Sequence, residues 1–211
     1  MINKPKRELR KPQLCLVTDP TVPDLVRTVE LALDAGITML QVRGTQLSAH
    51  QLYDLAQALC PRCQGYGVAC IVNDRIDVGL AAQADGFQLG QHSLPVATTR
   101  DLVGPEYLLG ASVHTLAEAQ TTLTQGADFV LAGTIFASRS HPGEPASGTQ
   151  FLQAIRQAHP DVNLLAIGGI TAKNAGEVMA AGADGVAVIS AILNTQHVSR
   201  AVKALRYAIG L

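Results

Sequence analysis

The sequence predicts an α/β fold, a single (β/α)8 TIM barrel, on three observations. Short apolar runs alternate with longer amphipathic stretches along the whole chain. The runs are hydrophobic throughout, as strands buried on both faces of a parallel sheet must be. Eight strand–helix units divide the 211 residues into lengths near the lower limit for an eightfold barrel. The expected division is a basic N-terminal tail over 1–12 and one barrel domain over 13–211, with no linker splitting the chain.

The first strand is expected at 14–18, before a helix on which Leu25, Val26, Val29, Leu31 and Leu33 recur about once per turn. The second, at 39–42, ends in Gln41-Val42-Arg43; the third, at 69–72, runs into Asn73-Asp74. A fourth at 86–89 leads to Gly90-Gln91, and a fifth at 108–111 to Ser112-Val113-His114-Thr115. Leu116, Ala119 and Leu123 mark the helix that follows. The sixth, at 129–132, ends in Gly133-Thr134, the seventh, at 164–167, in Gly168-Gly169-Ile170-Thr171, and the eighth, at 185–189, in Ser190. Ala35-Gly36, Ala84-Asp85-Gly86, Gly126-Ala127-Asp128 and Gly182-Ala183-Asp184 each join a helical pattern to an apolar run. A glycine there can end the helix in the left-handed conformation.

Composition excludes several classes. The net charge of −1 offers no field for nucleic acid or an anionic membrane. No apolar run approaches the roughly 20 residues of a membrane helix. Lys4, Lys6, Arg7, Arg10 and Lys11 break up any leader-like start, so a cytoplasmic location is expected. Cys15 and Cys70 read as core residues. Cys60 and Cys63 form a lone C-x-x-C that nothing completes into a metal cage, and Pro61 and Gly65 suggest that a helix ends there.

In such a barrel the chemistry sits at the C-terminal strand ends, and the polar residues gather on that rim. Gly168 and Gly169 let backbone N–H groups approach an anion, Thr171 can cap the following helix, and Ser190 opens another helical start. Loops after strands 7 and 8 of these barrels commonly bind phosphate, so phosphate is the ligand expected there. The loop after strand 6, rich in hydroxyls, Pro and Gly, has the composition of an active-site loop, and its Ser138, Arg139, Ser140 and His141 can hold a polyphosphate. Arg43 follows a buried strand, where a charge needs a ligand or a partner. Asn73 and Asp74 suit either a helix cap or contact with metal or substrate.

In this order, Q-V-R at 41–43, V-N-D-R at 72–75, A-D-G-F-Q-L-G-Q at 84–91, G-A-S-V-H-T at 110–115, G-T-I-F at 133–136, A-I-G-G-I-T at 166–171 and G-A-D-G-V-A-V-I-S-A-I at 182–192 resemble the thiamin phosphate synthase/TenI superfamily over nearly the whole chain. The resemblance implies that Mg2+ helps a pyrimidine pyrophosphate ionise and that a thiazole phosphate captures the cation. It implies that Gln41 touches the pyrimidine and Arg43 the pyrophosphate, with Asn73 and Asp74 on pyrophosphate and Mg2+. Ser112 would face the reacting group, Ser138 and Ser140 would bind pyrophosphate, and Gly169, Ile189 and Ser190 would receive the thiazole phosphate. Three positions depart from the synthase pattern: Thr45 and His141 stand for lysines, and Ser93 for a second Mg2+-binding Asp. All three fall on the pyrophosphate end. A TenI-like thiazole tautomerase needs no pyrophosphate site, but Thr134 stands where its His belongs, leaving His141 or His114 as base. A non-catalytic phosphate-ligand regulator is the third reading. The partners implied are phosphorylated small molecules; a homodimer is allowed, and neither nucleic acid nor membrane is implied.

Overall fold

Strands buried on both faces must pair every backbone group within the sheet, and a closed ring does so without leaving an edge. The computed structural model, which describes residues 8–138 and 145–211, has that ring: eight parallel strands in the order β1-β2-β3-β4-β5-β6-β7-β8, closed by pairing of β8 with β1. In chain order the elements are β1 (Gln13–Val17), α1 (Leu25–Ala35), β2 (Met39–Val42), α2 (Ala49–Gly65), β3 (Ala69–Asn73), α3 (Ile76–Ala81), β4 (Gly86–Leu89), α4 (Val96–Val103) and β5 (Leu108–Val113). They continue with α5 (Leu116–Thr124), β6 (Phe129–Ala132), α6 (Thr149–Ala158), β7 (Asn163–Ile167), α7 (Ala175–Ala180), β8 (Gly185–Val188), α8 (Ser190–Leu193) and α9 (Val198–Ala208).

Alternation along the strands divides the core. Cys15, Met39, Ile71, Leu108, Phe129, Leu131, Leu165 and Ala187 fill the barrel. Their neighbours, such as Leu14, Leu40, Val72, Val130 and Val186, pack outward under the helices. At the N-terminal mouth Leu9 packs against the interior cluster, and Lys11 reaches Asp184 at 3.0 Å.

The joints repeat with fourfold regularity. The residue just before each even-numbered strand accepts the N–H of the second residue of the odd-numbered strand preceding it. Thr38 Oγ1 takes Leu14 N–H, and Asp85, Asp128 and Asp184 take those of Cys70, Leu109 and Leu164, all at 2.8–2.9 Å. Two residues upstream of each acceptor the chain is left-handed, at Gly36, Gln83, Gly126 and Gly182. An Arg or Gln side chain binds the carbonyl of each: Arg206, Gln64, Arg100 and Arg156. The structure is thus four βαβα quarters sharing one joint.

Several expectations need correction. β3 runs on to Asn73 and β5 to Val113, which puts Asn73 and Ser112 on strands instead of loops. α2 ends at Gly65, as expected, but Pro61 lies inside it: the helix passes the proline because Leu59, Cys60 and Cys63 are buried, and that packing outweighs one missing helix hydrogen bond. Asn174, not Thr171, precedes α7, whereas Ser190 does open α8. The four cysteines are free and buried. Cys60 and Cys63 lie against Cys70, whose thiol is pushed well above the ordinary range by hydrogen bonding to them and by burial. Burial pushes Cys15 up to about 12. Thiols held protonated in this way are poor nucleophiles and metal ligands.

Candidate active site at the C-terminal rim

The C-terminal ends of the strands open into one cavity of about 760 Å³. Gln41, Arg43, Asn73, Asp74, Ser112, Ser138, Gly169, Ile189 and Ser190, all expected from the sequence, line it together. Ser140 and His141 lie outside the described residues.

On one side the polar groups form a chain. Gln41 Nε2 donates to Asn73 Oδ1 at 2.7 Å, and Asn73 Nδ2 donates to Asp74 Oδ2 at 2.6 Å. Asp74 Oδ1 accepts from the Gly90 N–H at 2.9 Å and from the Ser93 hydroxyl. Neither Asn73 nor Asp74 caps α3; both side chains belong to this network. Asp74 has a φ of 58°, the left-handed region, which Asp tolerates better than most residues. Three groups therefore hold one carboxylate at the cavity wall, and Gln41 holds one of them, Asn73, in turn. The backbone of Arg43 is pinned by Thr18, whose buried hydroxyl accepts from the Arg43 N–H and donates to its carbonyl, both at 2.8 Å. The Arg43 guanidinium makes no ion pair among the described residues, so the cationic side chain is available to an anion in the cavity.

Across the ring stand β7 and β8. Gly168 and Gly169 are left-handed, with φ of 104° and 63°. A Cβ on Gly168 would come 2.5 Å from Thr134 Cγ2, and one on Gly169 2.5 Å from the Ala137 carbonyl. These glycines are needed first so that the segment after β6 can lie directly on them. α8 then begins at Ser190; the N–H groups of Ile192 and Leu193 donate to the Ile189 carbonyl, and those of Ser190 and Ala191 have no acceptor within the helix.

The long connection after β6 is pinned at both feet. Ile135 and Phe136 donate to the carbonyls of Ile167 and Gly168, and the returning Ser147 and Gly148 to those of Thr134 and Ile135, at 2.9–3.1 Å.

Other residues of the cavity carried no binding role in the sequence reading. Gln91 donates to the Ser112 carbonyl at 3.0 Å and to Glu118 at 3.2 Å. His92, Thr171 and Asn194 also line the walls. Nothing in their local pattern separates them from ordinary loop polars. Thr18 and Gln88 act from outside the cavity; the signal for both was a polar residue in or abutting an apolar strand. Among the described residues, no group of three or more His, Cys, Asp or Glu side chains could hold a metal ion.

A family profile described as thiamine monophosphate synthase matches residues 14–192. A protein of Chloroflexus aurantiacus named thiamine-phosphate synthase is 42% identical over 184 residues, covering 87% of this chain and 84% of that protein. One of Nostoc with the same name is 39% identical over 189 residues and 90% of this chain, but the chain spans only 53% of its length. Among solved structures, the thiamine phosphate pyrophosphorylase of Pyrococcus furiosus superposes with a TM-score of 0.87 at 33% identity, covering 94% of this chain and 96% of that one.

Proposed function

The chain belongs to the thiamine monophosphate synthase family, and from that premise we propose that it joins a hydroxymethylpyrimidine pyrophosphate to a thiazole phosphate, giving thiamin phosphate and pyrophosphate. The observation that carries this reading is the pairing of two anion-suited ends in one cavity: Arg43, Asn73 and Asp74 on β2 and β3, and Gly169, Ile189 and Ser190 on β7 and β8. In an eight-stranded ring β3 and β7 stand opposite each other, so one cavity has room for both substrates face to face.

In the reaction, the bond between the pyrimidine methylene carbon and the pyrophosphate oxygen breaks, and its electron pair leaves with pyrophosphate. The thiazole nitrogen lone pair then forms the new C–N bond, and no proton is lost. Gln41 and Ser112 hold the pyrimidine, Arg43 and Ser138 gather the negative charge that grows on the leaving group, and Gly169 with the α8 amides holds the thiazole phosphate. Ser140 and His141 are assigned to the pyrophosphate on sequence alone. Fixed donors aimed at developing charge are usually the largest catalytic contribution.

The donor set fits Mg2+ in the form that metal commonly takes, one or two carboxylates completed by substrate phosphate and water. Asp74 supplies the carboxylate, aimed at the cavity by Gly90, Ser93 and Asn73. Bound there, Mg2+ would neutralise charge on the pyrophosphate. The protein is proposed to be cytoplasmic; among the described residues no helix is long and apolar enough to cross a membrane.

The test is thiamin phosphate formation from the two substrates with and without Mg2+, for the wild type, Arg43→Ala and Ser190→Ala. Metal-dependent product is expected, with Arg43→Ala lowering kcat and Ser190→Ala raising KM for the thiazole phosphate. No product from the wild type, with thiazole phosphate still bound, sinks the reading.

A further inference from the structure

β4 reads Gly-Phe-Gln-Leu, and its one polar side chain, Gln88, is 1% exposed. Phe87 and Leu89 pack outward, so alternation turns Gln88 into the barrel, below the cavity and not on its wall. A buried carboxamide is costly unless it is satisfied. Its Nε2 donates to Ser112 Oγ at 3.1 Å and lies 3.4 Å from the Leu89 carbonyl. Gly110, opposite Gln88 in the β4–β5 register, makes the space: a Cβ there would stand 2.5 Å from Gln88 Oε1 and 2.1 Å from the Phe129 ring.

We infer that Gln88 is a positioning residue that sets the direction of the Ser112 hydroxyl. A serine oxygen that accepts from below keeps its single proton for an acceptor above it. No described residue takes that proton, and the cavity is where it points. Ser112 therefore meets the substrate as a hydrogen-bond donor, suited to a ring nitrogen or an ester oxygen and unsuited to an amino group. Resting on the proposed reaction, this assigns Gln88 a role through Ser112, without contact to either substrate.

The test is a double-mutant cycle of Gln88→Leu and Ser112→Ala, with Gln88→Glu as a third variant. Gln88→Leu is expected to lower kcat roughly 10-fold, the scale of one misdirected hydrogen bond, and to leave KM for the thiazole phosphate unchanged. In the Ser112→Ala background it is expected to have no further effect. Burial keeps a carboxyl there protonated near neutral pH, and once ionised at high pH it can only accept, which turns the Ser112 proton downward, so Gln88→Glu should lose kcat increasingly as pH rises. An equal kcat loss from Gln88→Leu in both backgrounds overturns the inference. Urea unfolding of the same four proteins of the cycle needs no substrate: non-additive stabilities are expected, and additive ones overturn the coupling even if the wild type proves to have no synthase activity. Inactive wild type with coupled stabilities would reject the proposed reaction and leave the Gln88–Ser112 pair standing.

Discussion

A carboxylate in a left-handed backbone, fixed by Gly90, Ser93 and Asn73, marks Asp74 as the residue on which the proposed pyrophosphate end turns. Ser93 stands where the resemblance expects a second metal-binding Asp, and its hydroxyl serves the first one. Asn keeps the shape of Asp74 and its tolerance for positive φ, but loses the charge. Asp74→Asn should therefore lower kcat about 100-fold or more while changing unfolding free energy by less than about 1 kcal/mol. Steady-state kinetics and urea melts on the same preparations check this. A melt that fell along with the activity would make Asp74 a structural residue. Such a network is hard to read from sequence, because Asn73-Asp74 before a helix is also how a cap is written.

Among the elements, the fourfold joint separates stability from catalysis. Arg156 spans the α6–β7 and α7–β8 connections: it donates to the carbonyls of Gly182, Pro160 and Val162 and pairs with Asp184 at 2.6 Å. Both side chains are mostly buried, 23% and 16% exposed. Arg156→Met would leave these acceptors and one carboxylate short of partners, at a cost of about 2–4 kcal/mol. Because the joint lies at the N-terminal mouth, KM and kcat at a temperature where the variant stays folded should not change. A changed KM would show that the two faces are coupled. The motif was half visible in sequence: Gly-Ala-Asp at 126–128 and 182–184 announced two joints. Ala35-Gly36 and Ala84-Asp85-Gly86 marked the other two as joints, but their shared geometry, built on Thr38 and on Gln83 with Asp85, emerges only from the hydrogen bonds.

For the whole molecule, the ring closes through β1–β8 pairing between the two ends of the barrel sequence, so a local opening exposes little of its interior. All four cysteines lie within 2% exposure. Their labelling by iodoacetamide should accordingly be negligible in the native state, follow global unfolding, and reach four per chain in denaturant. Rapid labelling of any one in the folded protein would show a breathing segment that the packing does not suggest.

By itself the sequence determined the class and the rim on which the candidate site residues gather. Continuous apolar strands at regular intervals admit few arrangements besides a parallel barrel, and in a barrel every strand end faces one rim. Gln41, Arg43, Asn73, Asp74, Ser112, Ser138, Gly169, Ile189 and Ser190 could thus be placed on a common wall before any coordinate was known. Tertiary structure decided what surrounds and holds them. Gly168 and Gly169 proved to accommodate the neighbouring segment, Pro61 to be carried within a helix, and Ser112 to rest on a glutamine from the adjacent strand. The physical reason is range. Periodicity and turn chemistry are local and survive in one dimension. The orientation of the Ser112 hydroxyl or the Asp74 carboxylate depends instead on partners distant in the chain, which meet it only when the ring closes.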